Sequence, residues 1–379
     1  MDICEIPTPA IIVDRVRVQE NIRKMGDKAK TNNVSLRPHI KTHKCIEIGK
    51  LQKSEGAEGI TVATLSEAKV FSDHGFNDIT YAVPLSDDKI KIATELNSHI
   101  TLNVMVDNSH LLQILSNKAQ ESQKEINVLV KVDCGYHRTG IDPSDQSSVN
   151  LVETISDTKW LNFKGILTHA GHSYSATSIA EIESVTLQEQ EEMIQFAEKL
   201  REKDAGLYPE VISIGSTPTL TVDKDIPAAI TEIRPGSYVY FDYTQVKLGS
   251  CGIADCSFSL LASIVSKQNN RLVIDAGATA LSKDVGPTHI EPDCGFGKFY
   301  ADYKSARLDS ASAITGLSQE HGKVAFGQDS FLTEVKLDEK LRILPNHSCL
   351  TNNLFNKVYV VEDERVVDIW KIHQGHNLD

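Results

Sequence analysis

Short runs of β-branched and other apolar residues recur along the first two thirds of the chain. Each is followed by a stretch with apolar positions three or four apart. Thr8-Pro9-Ala10-Ile11-Ile12-Val13-Asp14 reads as a strand, and residues 15–32 place Val18, Ile22, Met25 and Ala29 at helical spacing. Apolar runs then follow at 34–41, 59–64, 78–83, 101–106, 127–133, 163–169, 211–216 and 231–240. Between most of them lie amphipathic helical patterns, the longest at 181–203. Strands buried on both faces read as near-continuous apolar runs, and their alternation with helices predicts a parallel sheet. Eight such strands in roughly 210 residues is the number that closes a (β/α)8 barrel of the TIM type. A doubly wound sheet is the competing arrangement, but the Gly-x-Gly-x-x-Gly turn it carries after its first strand is absent.

Past residue 245 the pattern changes. Strand-like runs at 260–265, 271–275, 323–326 and 357–361 are separated by turns, and long helical patterns are missing. This predicts an α/β barrel over 8–245 followed by a smaller, mainly antiparallel β-domain over 246–379. The strand at 8–13 can join either. Residues 283–313, with their glycines and prolines, read as a long loop.

A chain of 379 residues is long enough for one large domain and a smaller one. Its net charge of −13 argues against a nucleic-acid-binding surface. The seven cysteines are scattered, with no Cys-x-x-Cys pair, which suggests reduced thiols rather than a disulfide framework. The first residues lack the basic and apolar regions of a signal peptide, and no apolar run is long enough to span a bilayer. The expectation is a soluble, cytoplasmic protein without a membrane partner.

Chemistry-bearing residues cluster where the predicted strands end. In Arg37-Pro38-His39-Ile40-Lys41-Thr42-His43-Lys44 a lysine follows the first barrel run, at the end of the barrel where chemistry is done. The flanking His39 and His43 could keep its amine partly neutral and hence nucleophilic; the same residues would also suit a basic surface loop. Lys131-Val132-Asp133 runs on to Arg138, which can face the barrel mouth or pair with Asp133. Thr168-His169-Ala170-Gly171-His172-Ser173-Tyr174 ends the next strand; His169 can simply fill the barrel, whereas His172 and Tyr174 fall in the loop. Gly215-Ser216-Thr217-Pro218-Thr219 has the composition of a phosphate cradle and of many ordinary turns. In Pro345-Asn346-His347-Ser348-Cys349 an extended backbone would put His347 and Cys349 on one face, where imidazole and thiolate suit zinc. A buried cysteine beside a satisfied histidine is the plainer reading. His321, His373 and His376 are weaker candidates.

Together with Arg234-Pro235-Gly236 and Ser318 to Gly322, these segments resemble the D-serine dehydratase and D-threonine aldolase family. These are fold-type III pyridoxal-phosphate enzymes related to alanine racemase. The resemblance covers essentially the whole chain. It implies that Lys41 forms the Schiff base with pyridoxal 5'-phosphate and that Arg138 hydrogen-bonds its phenolic oxygen. It also implies that Gly215, Ser216 and Thr217 hold the phosphate, with His169, Tyr174 and Tyr240 as further cofactor contacts. His172 and Tyr174 would assist Lys41 in catalysis, and His347 and Cys349 would hold zinc or another divalent metal. The family is usually a homodimer with a shared site.

The implied reaction eliminates the β-hydroxyl of a D-3-hydroxy amino acid. The aldolase branch typically reads His-Cys-Asp at the metal motif, whereas this chain reads His347-Ser348-Cys349. That departure favours a dehydratase, D-serine dehydratase or a relative acting on 3-hydroxy-D-aspartate, over an aldolase giving glycine and an aldehyde. Some pyridoxal-phosphate barrels only bind the cofactor, but these are small single domains without the metal motif.

Overall fold

The computed structural model describes residues 1–222, 225–269 and 271–375. The chain opens with strand β1 (Ala10–Asp14) and helix α1 (Arg15–Thr31). Two compact units follow from the packing: one comprises Met25–Lys41 and Gly49–Gly236, the other Met1–Lys24, Thr42–Ile48 and Ser237–Gln374.

The first unit is built on eight parallel strands. They are β2 (Ser35–Leu36), β3 (Ile60–Val62), β4 (Asp78–Pro84), β5 (Thr101–Val106), β6 (Ile126–Lys131), β7 (Leu161–Leu167), β8 (Val211–Ile214) and β9 (Glu232–Ile233). Their order is β2-β9-β8-β7-β6-β5-β4-β3, and parallel bridges from Leu36 to Ala57 and from His39 to Thr61 close the barrel. The helices of the barrel region are α2 (Ile46–Ser54), α3 (Leu65–Asp73), α4 (Asp87–Leu96), α5 (Ser109–Ser122), α6 (Gln146–Asp157), α7 (Ile179–Lys203) and α8 (Thr217–Val222). Thr64, Asn108, Asp145 and Ser178 each accept a backbone N–H from the first turn of the helix they precede, which fixes where α3, α5, α6 and α7 begin.

β2 and β9 are shorter than the apolar runs at 34–41 and 231–240. Pro38 and Pro235 carry no N–H for a ladder, and the chain turns into short 3-10 segments at Ile40–Thr42 and Ser237–Val239. One of these turns carries Lys41.

Arg37 ties β2 into the barrel. Its Nε donates to Glu232 at 2.6 Å and its two terminal nitrogens donate to Asp78 at 2.7 and 2.9 Å. Burial disfavours its charge, but Glu232 and Asp78 overcome this and raise its pKa. The Glu232 side chain is only 5% exposed, against 39% for Asp78, so Glu232 would be the costly group to strand. Arg37→Leu is expected to lower stability by about 3–5 kcal/mol in chemical denaturation, because it leaves a buried carboxylate unpaired. An unchanged midpoint would show that the pair contributes little.

The second unit is a mainly antiparallel sheet. Its strands are β1, β10 (Phe258–Gln268), β11 (Arg271–Ile274), β12 (Lys298–Asp302), β13 (Arg307–Leu308), β14 (Ser312–Leu317), β15 (Gly322–Phe326), β16 (Lys340–Leu344), β17 (Lys357–Glu362) and β18 (Arg365–Lys371). The main path runs β13-β12-β16-β10-β1-β17-β18, with β11, β15 and β14 branching from β10. β1 pairs antiparallel with β10 and parallel with β17, so the first strand of the chain lies in this sheet. Short helices α9 (Tyr243–Lys247), α10 (Ala278–Leu281) and α11 (Ser348–Asn352) interrupt the strands.

The stretch 283–313, expected as a loop, contains β12 and β13 and the start of β14. Phe299 and Tyr300 are buried there. Glu291 accepts from Tyr243 Oη at 2.5 Å and Lys298 Nζ at 2.7 Å, and pairs with Lys247 at 3.2 Å, which pins the segment. All seven cysteines carry free thiols. Among the described residues no helix is long and apolar enough to cross a membrane.

Candidate active site

In the barrel unit, the chemistry-bearing residues follow the carboxyl ends of the strands. Lys41 lies in the turn after β2, half-buried, with its backbone N–H directed at His39 Nδ1 at 3.4 Å. Lys131 ends β6, His169 comes two residues after β7, and Arg234 follows β9. These groups share one field. Desolvation and the charges of Lys41, Lys131, Arg138 and Arg234 hold the His169 imidazole well below its ordinary range, so it is neutral. Its Nδ1 faces the Gly215 carbonyl at 3.5 Å, which can only accept, so the proton sits on Nδ1.

Arg138 lies with its guanidinium carbon 5.1 Å from the centre of the Tyr136 ring. Asp133 is occupied by other partners: it accepts the N–H groups of Gly135 and His137 at 3.0 and 2.9 Å and pairs with the His137 ring at 2.9 Å. Tyr136 also stacks on His172, with centroids 6.0 Å apart, and meets His169 edge-on at 6.3 Å. Gly171 permits this approach, since a Cβ there would stand 2.2 Å from the tyrosine ring. Tyr174 lies tilted against His169 at 6.5 Å. Burial pushes the His172 imidazole down, with Asp133 opposing.

After β8, Gly215 takes φ +112°, and a Cβ there would meet Leu220 Cδ1 at 2.6 Å. Ser216 Oγ bonds Ser173 Oγ at 2.9 Å and Thr219 Oγ1 at 3.1 Å. Thr217 Oγ1 is buried and has no protein partner.

The other candidates belong to the β-sheet unit. His43 is fully buried, and its Nδ1 accepts the Cys45 N–H at 3.1 Å, so this ring is committed to the backbone of its own turn. Tyr240 is buried against Phe258, with ring centres 4.9 Å apart, and burial beside the Cys45 thiol raises its hydroxyl well above the ordinary range. His347 and Cys349 do come together, but not as alternate residues of a strand. His347 caps α11 and Cys349 lies in that helix's first turn, close enough for their side chains to hydrogen-bond. Cys349 Sγ touches Thr42 Oγ1 at 3.2 Å. His347 Nδ1 meets Asp284 Oδ2 at 3.2 Å. Burial disfavours the imidazolium, yet the contacts with Asp284 and Cys349 and the charge of Asp242 raise it well above its usual range. Ser348 donates N–H and Oγ–H to the buried Asp242 at 2.9 and 3.0 Å, which locks the residue between the two candidate ligands. No group of three or more His, Cys, Asp or Glu side chains suited to a metal occurs among the described residues. His376 lies outside them.

Several residues of these arrangements carried no role in the sequence. Tyr136, Asp284 and the buried guanidinium of Arg234 act through partners distant in the chain, and so does Glu189 of α7, which accepts the N–H groups of Ala170 and Gly215. Glu189 left a signal, a carboxylate on the apolar stripe of a helix, and Arg234 stood in one of the segments that carry the resemblance.

This constellation has known counterparts. Residues 13–244 match the alanine racemase N-terminal domain and residues 257–361 the putative serine dehydratase domain, and the chain belongs to the family that joins the two. It is 38% identical to a D-serine dehydratase of Dictyostelium discoideum, over 98% of this chain and 97% of that protein. It is 32% identical to the D-threo-3-hydroxyaspartate dehydratase of Delftia sp. HT23, whose solved structure covers 99% of each chain at a TM-score of 0.92. A cysteine-to-alanine variant of a D-threo-3-hydroxyaspartate dehydratase, 32% identical over 99% of this chain, has been solved in a metal-free form. A D-threonine aldolase of Arthrobacter sp. is 29% identical over 98% of this chain and 93% of its own length. Dehydratases and aldolases of this kind are lyases.

Proposed function

We propose that the chain is a pyridoxal-phosphate and metal-dependent D-serine dehydratase, converting a D-3-hydroxy amino acid to a 2-oxo acid and ammonia. The observation that carries this reading is the gathering of Lys41, Lys131, Arg138 and Arg234 around one neutral imidazole at the strand ends. A cofactor with a phosphate dianion and a phenolate suits a site lined by two guanidinium groups and two lysines, and the buried, unpartnered Thr217 hydroxyl fits a phosphate oxygen. Lys41 Nζ would hold the cofactor covalently, Arg138 its phenolic oxygen, and the turn at Gly215, Ser216 and Thr217 its phosphate. His169, Tyr174 and Tyr240 complete the assigned contacts. When bound, the cofactor supplies an electron sink for charge developing at Cα.

The metal donors fit as well. Asp284 fixes the His347 ring through Nδ1, which leaves Nε2 to face an ion beside the Cys349 sulfur. The metal-free form of the cysteine-to-alanine D-threo-3-hydroxyaspartate dehydratase favours the same reading here. An ion at this place supplies a Lewis acid toward the β-hydroxyl.

The balance of the reaction is simple. Lys41 Nζ takes the Cα proton, assisted by His172 and Tyr174. The electron pair forms the Cα–Cβ double bond, the Cβ–O bond breaks, and the departing hydroxide takes up the proton held on Lys41 to become water. The enamine product is hydrolysed to the 2-oxo acid and ammonia. A homodimer is part of the proposal, to be read by light scattering.

The test is product analysis with D-serine, D-threonine and D-threo-3-hydroxyaspartate, with and without a chelator. A 2-oxo acid and ammonia, lost on chelation, are the expected result, and the ranking of rates names the substrate. Glycine and an aldehyde would establish the aldolase instead.

A further inference from the structure

We propose that Glu189 is a positioning residue for the phosphate end of the site, clamping the loops after β7 and β8 so that Thr217 faces the anion. This rests on the pyridoxal-phosphate reading above. Glu189 lies on α7 among Ile182, Thr186, Met193, Phe196 and Leu200, the buried stripe of that helix, and is itself fully buried. A carboxylate at such a position is costly unless its oxygens are satisfied. Here a single oxygen, Oε1, accepts the N–H of Ala170 at 3.1 Å and of Gly215 at 3.0 Å, while Oε2 meets Thr219 Oγ1 at 3.3 Å. Burial raises its pKa, and the two N–H donors, Arg234 and Lys131 oppose the rise.

The consequence lies in which groups remain for a ligand. The Gly215 N–H is spent on Glu189, and the Ser216 N–H donates to Thr219 Oγ1 at 3.1 Å. The first two amides of the turn therefore point into the protein. The buried polar atom of the turn that has no protein partner is Thr217 Oγ1. The left-handed backbone of Gly215 directs its amide to the carboxylate, and Thr217 comes two residues later. On the other side, Ala170 follows His169, and Ser173 Oγ joins Ala170 O at 2.7 Å to Ser216 Oγ at 2.9 Å. One carboxylate thus holds the histidine loop and the phosphate turn in register. It need not touch the ligand to control it.

The experiment titrates apo-protein with pyridoxal phosphate and with pyridoxal, which lacks the phosphate, following the absorbance of the lysine-bound aldehyde. Glu189→Ala strands two buried N–H groups and is expected to weaken pyridoxal-phosphate binding about 30-fold or more while leaving pyridoxal within about threefold. Glu189→Gln keeps a carbonyl oxygen for the same two amides and should restore most of the difference. Glu189→Asp, one carbon shorter, should lose about tenfold for pyridoxal phosphate alone, and carries the test if the alanine variant does not fold. Unchanged pyridoxal-phosphate affinity in Glu189→Asp or Glu189→Ala, or equal weakening of both ligands, would overturn the positioning role. A wild-type protein that binds neither aldehyde, or binds both equally well, would instead overturn the cofactor or phosphate assignment on which it rests.

Discussion

Lys41→Ala protein is expected to lose the absorbance band of the lysine-bound cofactor and to turn over at least about 10³-fold more slowly. Two roles converge on this amine. It holds the cofactor, and once released it is the base that removes the Cα proton. Neither can be taken over by its immediate neighbours. His39 Nδ1 already faces the Lys41 backbone N–H, and the His43 ring serves the Cys45 amide. The fold should survive, because Lys41 sits in a half-buried 3-10 turn outside the strands. The competing amine is Lys131, which is buried at the end of β6. Burial, with the charges of Arg234 and Arg138, brings its pKa down to about 7, so a large part of it is neutral and nucleophilic at neutral pH. Absorbance spectra of Lys41→Ala and Lys131→Met decide between them. A band kept in the first and lost in the second would move the cofactor from Lys41 to Lys131.

What the sequence disclosed follows from how far each signal reaches. The barrel was legible because a parallel strand buried on both faces writes an unbroken apolar run, as at β5, β6 and β7. β12 was not legible, because Phe299 and Tyr300 stand between charged residues and glycines and are buried only by the sheet around them. β16 carries Arg342, which is buried over the Tyr303 ring at 3.2 Å and bonded to Ser259 Oγ at 2.7 Å, so its run does not read as a strand. At the site, residues in the loops that follow strand ends could be picked out by position: Lys41, Arg138, His169 and Gly215. Those whose role depends on a partner from another element could not. Glu189 is defined by two backbone amides that lie 19 and 26 residues away in the chain. His347 and Cys349 were paired by a strand argument, yet a helix cap places them, since i and i+2 can meet wherever the backbone turns out of an extended residue into a first helical turn.

His347→Ala and Cys349→Ala should each strip the protein of its divalent metal and lower the rate of 2-oxo acid formation about 10³-fold, since a Lewis acid on the β-hydroxyl lowers the barrier by several kcal/mol. Cofactor absorbance should persist in both, which separates this loss from that of Lys41→Ala. Asp284→Asn keeps both ligands but weakens the partner of His347 Nδ1, and should reduce metal affinity by about 10–100-fold with a smaller loss of rate at saturating metal. The pH dependence has a definite sign. His347 is raised well above its ordinary pKa, so without metal it is protonated at neutral pH, and an ion must displace that proton. Apparent metal affinity should therefore increase with pH, by about tenfold per unit for each proton released, until the imidazole pKa is passed. Affinity that is flat from acid to neutral pH would mean that His347 is not a ligand. Metal analysis with 2-oxo acid assays of the three variants, across that range, puts the question to both residues. If the metal-free variants still release ammonia from D-serine at the wild-type rate, the ion is no part of the elimination, and leaving-group departure must be driven by acids of the barrel mouth such as His172 or Tyr174.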